Sequence, residues 1–468
     1  MRVLLLSTNT EQEPYPVYPL GMAVIASALT TAGHEVRQFD YLAAGRSDSQ
    51  LAQAVQEFQP EIVGLSLRNI DNVDYFSGME HWSLGQAREI IRLLRSLANA
   101  PVILGGPGFS LMPEAILEYL EADFGVVGEG EQAVVELLDI IRKEHNGPRI
   151  MREKQQLDPD ETCPPLFDKA IIAYYNRESG LAGLQTKRGC PHQCAYCSYP
   201  SLEGHIIRPR DPEMVAEDMA RLYQDHGLDH VFFTDSVFND CQGNYLELAL
   251  VLARRNLPVR WSAFFRPANI SGEEIDLLDR SGLMGLEVGS DAGAEATLTG
   301  FNKGFSCSDI ISFNEAFTER GKPVAHYFII GGPGETEKTI AETLDTLNRL
   351  ELCVAFIYSG VRILPGTSLH QRAIAEGIVN SSDSLLKPVY YHSPLIDKEA
   401  MHKTVTRALH SRRDRFFPPG DALERMNVMR RFGYRGLIWD RLISTEIQRR
   451  INKKNKLACQ AITKLHVP

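Results

Sequence analysis

The chain has 468 residues, 44% hydrophobic and 23% charged, the balance of a globular protein long enough for two or three domains. No stretch approaches the ~20 apolar residues of a membrane-spanning helix, and Val3–Leu6 is too short for a signal-peptide core, so a cytoplasmic protein is expected. Net charge is −11, yet residues 401–468 carry 16 Lys and Arg against 5 Asp and Glu; such an end either packs on an acidic body or meets an acidic partner.

Residues 1–145 alternate short apolar runs with segments of helical period. The runs are Arg2–Ser7, His34–Phe39, Glu61–Leu67, Pro101–Leu104 and Asp123–Val127. Several lack in/out alternation, which predicts strands buried on both faces of a doubly wound, Rossmann-like parallel sheet. Ligands on such sheets sit beyond the carboxyl ends of the strands, here loops 8–20, 68–83, 105–110 and 128–130. None carries Gly-x-Gly-x-x-Gly with a downstream acid, or Gly-Lys-Ser/Thr, so dinucleotides and nucleoside triphosphates are not expected. The stretch Arg68–Asp74 is polar for a loop directly after a buried strand; its side chains suit a ligand's hydrogen bonds or simply turns. Residues 146–180, with Gly147-Pro148 and Cys163-Pro-Pro165, read as a linker.

Residues 181–380 alternate strand and helix six times. The strands are expected at Leu181–Lys187, His230–Asp235, Val259–Phe265, Leu283–Val288, Val324–Ile330 and Phe356–Ile363, each followed by a helical segment. Six such units make a partial parallel (β/α)6 barrel, with chemistry at the carboxyl ends of its strands. After the first strand comes Thr186-Lys-Arg-Gly-Cys-Pro-His-Gln-Cys-Ala-Tyr-Cys-Ser-Tyr-Pro200. Cys190, Cys194 and Cys197 offer three thiolates from one short loop, and a four-iron cluster held by three keeps one iron open. Arg188 would offset the cluster's negative charge. A zinc knuckle would need a fourth ligand; His192 is at an unusual position for one, and no second Cys-x2-Cys pair follows.

The Cys-x3-Cys-x2-Cys spacing, with Tyr196 before the last cysteine, resembles the signature of the radical S-adenosylmethionine (SAM) enzymes. The resemblance implies a 4Fe-4S cluster on the three cysteines, whose open iron chelates SAM and whose electron cleaves it. It extends to Thr234-Asp-Ser236, Arg266-Pro267, Gly285–Asp291, Ile330–Thr336 and Arg362, and it implies SAM contacts from Tyr196, Asp235, Ser236, Arg266, Glu287, Ser290 and Arg362. Val288 stands where the family usually has serine.

Residues 1–145 resemble the cobalamin-binding domain that precedes the barrel in one branch of these enzymes. Pro19-Leu-Gly21, Ala32-Gly-His34, Ile103-Leu-Gly-Gly-Pro107 and Val127-Gly-Glu-Gly-Glu131 carry the likeness. It implies cobalamin contacts from Asn9, Ser66, Arg68, Gly105, Gly106, Gly108, Gly128 and Glu129. The Asp-x-His-x-x-Gly motif that supplies a cobalt ligand in many cobalamin proteins is absent, so no such histidine ligand is expected.

Residues 381–468 are basic and read as mostly helical, broken at Phe417-Pro-Pro-Gly420 and ending through Arg449-Arg450 and Lys453-Lys454. Tyr390, Tyr391 and His392 are candidates to line a substrate site. The resemblance implies a cobalamin-dependent methyltransferase acting on an unactivated carbon of a small or amphipathic molecule, with a flavodoxin or ferredoxin as electron donor. The same cofactors would serve a cyclisation, rearrangement or carbon–carbon coupling, and the cluster alone would serve a redox sensor. Nucleic acid is not an expected partner, whereas peripheral membrane contact is compatible with the basic end.

Overall fold

The computed structural model describes residues 1–77, 82–144, 148–152, 156–158 and 164–443. Gly147, Cys163 and the basic pairs at 449–450 and 453–454 lie outside the described residues. The chain divides into two compact units, one of Met1–His192, Tyr196–Gly227 and Arg362–Val389, the other of Gln193–Ala195, Leu228–Val361 and the chain from Tyr390.

The first unit is built on a parallel sheet of β1 (Arg2–Ser7), β2 (Glu35–Asp40), β3 (Ile62–Ser66), β4 (Val102–Gly105), β5 (Phe124–Val127) and β6 (Ile150–Arg152). Their order is β2-β1-β3-β4-β5-β6, so the winding reverses between β1 and β3, and the crevice beyond those two strands is where such sheets take ligands. Helices cover both faces: Leu20–Thr31 packs with Glu131–Glu144, and Ser83–Leu97 with Asp48–Phe58 and Pro113–Leu120. Helix Asp48–Phe58 shows why these segments form. The Ser47 hydroxyl accepts the Gln50 N–H at its start, Leu51, Val55 and Phe58 fall on one buried stripe, and Gln59 ends it in a left-handed conformation.

Two elements appear in the stretch read as a linker. Strand β6 is three residues long, too short for a periodic signal. Helix Lys169–Glu178 starts where the Asp168 carboxylate accepts the Ala170 and Ile171 N–H groups, and it carries the Tyr175 hydroxyl to Asp40 at 3.2 Å. Three further short strands follow in this unit: β7 (Ala182–Leu184), β8 (Lys187–Arg188) and β9 (Arg208–Pro209).

The second unit holds the parallel strands β10 (His230–Phe233), β11 (Arg260–Phe265), β12 (Leu283–Asp291), β13 (Val324–Ile330) and β14 (Cys353–Ser359). Helices Asn244–Arg255, Gly272–Arg280, Cys307–Thr318 and Glu337–Arg349 separate them in sequence, and the last three open on capping boxes at Ser271, Ser306 and Thr336. Trp261, fully buried between Phe233 and Phe238, anchors one end of the core. Burying an indole of this size contributes roughly 4–6 kcal/mol against an extended chain.

The C-terminal region is less purely helical than its composition predicts. After two-residue strands β15 (Val361–Arg362) and β16 (Tyr390–Tyr391), β17 (Arg415–Phe416) adds a parallel edge to β14. The Arg415 guanidinium, fully buried, donates to the carbonyls of Leu347, Leu350 and Cys353 and so fixes that edge. Helices Lys398–Leu409 and Gly420–Arg431 lie on either side of the expected break, and Leu437, Ile438, Trp439 and Leu442 close a second core over Val354 and Phe356. No described helix is long and apolar enough to cross a membrane.

Candidate functional site

The cysteine loop is framed by backbone geometry in the first unit. Strands β8 and β9 pair antiparallel, Lys187 opposite Pro209 and Arg188 opposite Arg208, and close the loop between them. Gly189 has φ +89°, and a Cβ there would sit 2.0 Å from the Ile206 carbonyl, so only glycine fits. The next N–H, of Cys190, donates to the Gly204 carbonyl at 3.0 Å. Cys190 is buried, Cys194 and Cys197 are half-buried, and none of the three is in a disulfide. Among the described residues no three His, Cys, Asp or Glu side chains gather about a point that would hold a single metal ion. The donor set is three thiols on one short loop, which suits a cluster that takes one thiolate per iron.

Arg188, expected to offset the cluster's charge, is paired with two carboxylates. Its guanidinium pairs with Glu131 and, at 3.3 Å, with Glu129, while Nε donates to Gln185 at 3.2 Å. Glu129, expected at the cobalamin, is taken as well. Arg208 donates to both its oxygens, and the Leu157 N–H reaches it at 3.0 Å. Burial would raise this carboxyl's pKa, but the two arginines hold it below the usual range.

The remaining candidates on the first sheet lie in its carboxyl-end loops. Asn9 follows β1 and accepts the Glu11 N–H at 3.3 Å; Ser66 ends β3. Gly105 ends β4 facing open space, whereas side chains at Gly106 and Gly108 would strike the Leu67 carbonyl within 2.7 and 2.9 Å. Gly128 is exposed, φ +83°, its N–H on the Ser110 hydroxyl at 3.0 Å. Arg68 is half-buried beside Tyr15, Tyr175, Tyr199 and Glu11, and desolvation lowers its pKa. Its guanidinium makes no hydrogen bond to the described residues. A desolvated cation without a hydrogen-bonding partner among the described residues, next to glycine loops at the winding reversal, fits a large polar ligand such as cobalamin.

Two of the expected SAM contacts have hydrogen-bond partners within the protein. The Arg362 guanidinium is nearly inaccessible; Nε pairs with Asp71 at 2.8 Å, and both terminal nitrogens donate at 2.7 Å, to the carbonyls of Ile363 and Leu385. Each of its three nitrogens is thereby engaged within the protein. The Ser290 hydroxyl is completely buried against His326 at 2.8 Å, and that imidazole continues to Asn314 at 3.0 Å. Burial pushes the His326 pKa down to about 3, so this chain of hydrogen bonds is neutral. Tyr196 is half-buried in the cysteine loop.

In the second unit, Asp235 and Ser236 directly follow β10, Asp235 being buried. Arg266 follows β11, its backbone locked by reciprocal 2.8 Å bonds with the Asn239 amide and its guanidinium over the Phe305 ring. Glu287 on β12 is buried, accepting the Tyr327 hydroxyl at 3.0 Å and the Trp439 indole at 3.1 Å. Tyr391 is buried in the core and does not line a surface; Tyr390 and His392 are half-buried. His392 and His402 meet the Ser359 hydroxyl, at 3.2 and 2.6 Å, and burial pushes the His392 pKa down to about 4.

Sequence reasoning missed Lys303. The Asn302 amide donates to the Gln193 carbonyl at 2.7 Å and the Ala195 N–H to the Phe301 carbonyl at 2.8 Å, which pins the Cys194 segment to this loop. Lys303 is buried there, 2.7 Å from Asp291. Burial alone would lower its pKa, but Asp291 and Cys194 together raise it, so the ammonium stays charged. Apart from Asn302-Lys303-Gly304 following a short helix, the sequence carries no signal for it.

Residues 12–138 match the B12 binding domain and residues 184–347 the radical SAM superfamily. An uncharacterized methyltransferase of Pyrococcus horikoshii is 24% identical over 428 residues, covering 85% of this chain and 90% of that protein. The anaerobic magnesium-protoporphyrin IX monomethyl ester cyclase of Cereibacter sphaeroides is 25% identical over 361 residues, covering 69% and 55%. The structure of the radical SAM methyltransferase TsrM from Kitasatospora setae, with tryptophan and a SAM analogue bound, superposes with a TM-score of 0.81 at 24% identity, covering 98% of this chain and 99% of that one.

Proposed function

We propose that this chain, a radical SAM enzyme with an N-terminal B12-binding domain, methylates an unactivated carbon of a small or amphipathic molecule. The observation that carries the proposal is the presence of both domains on one chain, since a radical generator beside a methyl carrier has that reaction as its direct use. When bound, the cluster with SAM supplies the radical and cobalamin carries the methyl group.

This chain's residues hold and orient. Cys190, Cys194 and Cys197 ligate the cluster, and Tyr196, Asp235 and Ser236 hold SAM. Arg266 and Lys303 offer cations to its carboxylate, Lys303 beside Cys194 and Arg266 as a planar fork. Glu287 fixes the neighbouring wall through Tyr327 and Trp439. Asn9, Ser66, Arg68, Gly105, Gly106, Gly108 and Gly128 form the cobalamin face, and Tyr390 with His392 lines the substrate site. A flavodoxin or ferredoxin supplies electrons, and an oxygen-sensitive cluster suits the reducing cytoplasm.

The test is anaerobic incubation with dithionite, SAM deuterated in its methyl group, and an extract of a deletion strain. A product that gains the deuterated methyl supports methylation. A product formed without label supports the non-methylating alternative, which the similarity to the cyclase favours. Release of 5'-deoxyadenosine excludes a purely sensory role.

A further inference from the structure

The loop after β5 does more than face a ligand. Gly128 is followed by two buried acids, Glu129 and Glu131, and each meets an arginine that frames the cysteine loop. Arg188 lies two residues before Cys190, and Arg208 lies opposite it on β9. The side chains are only 6–13% exposed, and the network extends to the Leu157 and Glu203 backbone and to Gln185. A buried ion network of this kind behaves as one unit, because removing any member strands a charge away from water.

Resting on the cofactor reading above, we propose that Glu129, Glu131, Arg188 and Arg208 are positioning residues that couple occupancy of the B12-binding domain to assembly of the cluster. Cobalamin contacting Gly128 orders the residue next to it, Glu129. The two arginines transmit that order to β8 and β9, where Gly189 packs against Ile206 and the Cys190 N–H is held by Gly204, leaving Cys190 no backbone slack. By linkage the coupling is reciprocal: a bound cluster tightens cobalamin by the same factor by which cobalamin stabilises the cluster.

The experiment uses the full chain, anaerobically reconstituted, and follows cluster loss to a ferrous chelator with and without hydroxocobalamin. In the wild type, cobalamin slows loss by at least about fivefold. In Glu131→Gln and in Arg188→Gln that ratio falls towards one, and the double variant falls no further, as expected of two residues in one network. A purely structural role would speed loss equally in both conditions and leave the ratio intact. Should Arg188→Gln not fold, Arg188→Lys, which keeps the charge but loses the fork, carries the same test. Spectrophotometric titration of cobalamin into cluster-loaded and cluster-free protein must return the same factor. A wild-type ratio of one with cobalamin bound, or an unchanged ratio in the variants, overturns the coupling. Absence of cobalamin binding overturns the cofactor reading itself.

Discussion

Arg362 separates a reading from motif position and a reading from contacts. As a SAM ligand, its loss would weaken SAM binding and leave the fold alone; as the buried partner of Asp71, its loss would destabilise the first unit. The pair is all but dry, with side-chain exposures of 3% and 2%, and the guanidinium satisfies two carbonyls besides the carboxylate. Removing either partner strands a buried charge, a cost of about 3–5 kcal/mol, whereas removing both costs much less. Arg362→Met and Asp71→Ala should therefore each lower the thermal midpoint of the apo chain by several degrees. The double variant should recover much of the loss. The segment Arg362–Val389, which the Leu386 carbonyl also ties to the Trp82 indole at 2.8 Å, should become protease-sensitive in each single variant. Differential scanning calorimetry and limited proteolysis read these changes. An Arg362→Met protein with an unchanged midpoint and weaker SAM binding would refute the argument.

Three other outcomes follow from single contacts. Cys194→Ala should abolish cluster assembly, seen as loss of bound iron and of the reduced-cluster EPR signal; 5'-deoxyadenosine formed by that variant would contradict the ligand set. Gly189→Ala forces a side chain into the left-handed region against the Ile206 carbonyl, at a cost of about 1–3 kcal/mol, and should lower iron content after reconstitution while cobalamin is retained. Glu335 is buried, with its carboxylate on the Gly331 N–H at 3.2 Å, and burial pushes its pKa up to about 7. Between the ordinary carboxylate value and about 7 the folded chain binds more protons than the unfolded one, so this residue's contribution is lost as pH rises through that window. Glu335→Gln should remove that loss, and urea midpoints at about pH 5 and about pH 8 should differ less in the variant than in the wild type.

Much of the architecture was legible because it is written in local pattern. β1 and β13 fall where their apolar runs place them. Strands β6 and β17 were not legible, since two or three residues display no period and are recruited by an existing sheet edge. At the site, spacing singles out the cysteines but carries no sign of which charged side chains are paired. Arg188, Glu129 and Arg362 look like cofactor residues in a linear motif, yet each is engaged by a partner far along the chain, Asp71 lying 291 residues from Arg362.

The sequence by itself determined the thiol triplet, the glycines that let its backbone turn, and two successive strand–helix alternations. These depend on residue spacing and on backbone stereochemistry, which act over a few positions. The tertiary structure alone decided which charges meet which neighbours. It brought Lys303 to Cys194, left Arg68 without a hydrogen-bonding partner among the described residues, and spent Glu129, Arg188, Arg208 and Arg362 on one another and on buried acids. Burial makes an unpaired charge costly wherever its partner lies in the sequence, so pairing follows from proximity in space, which no local pattern encodes.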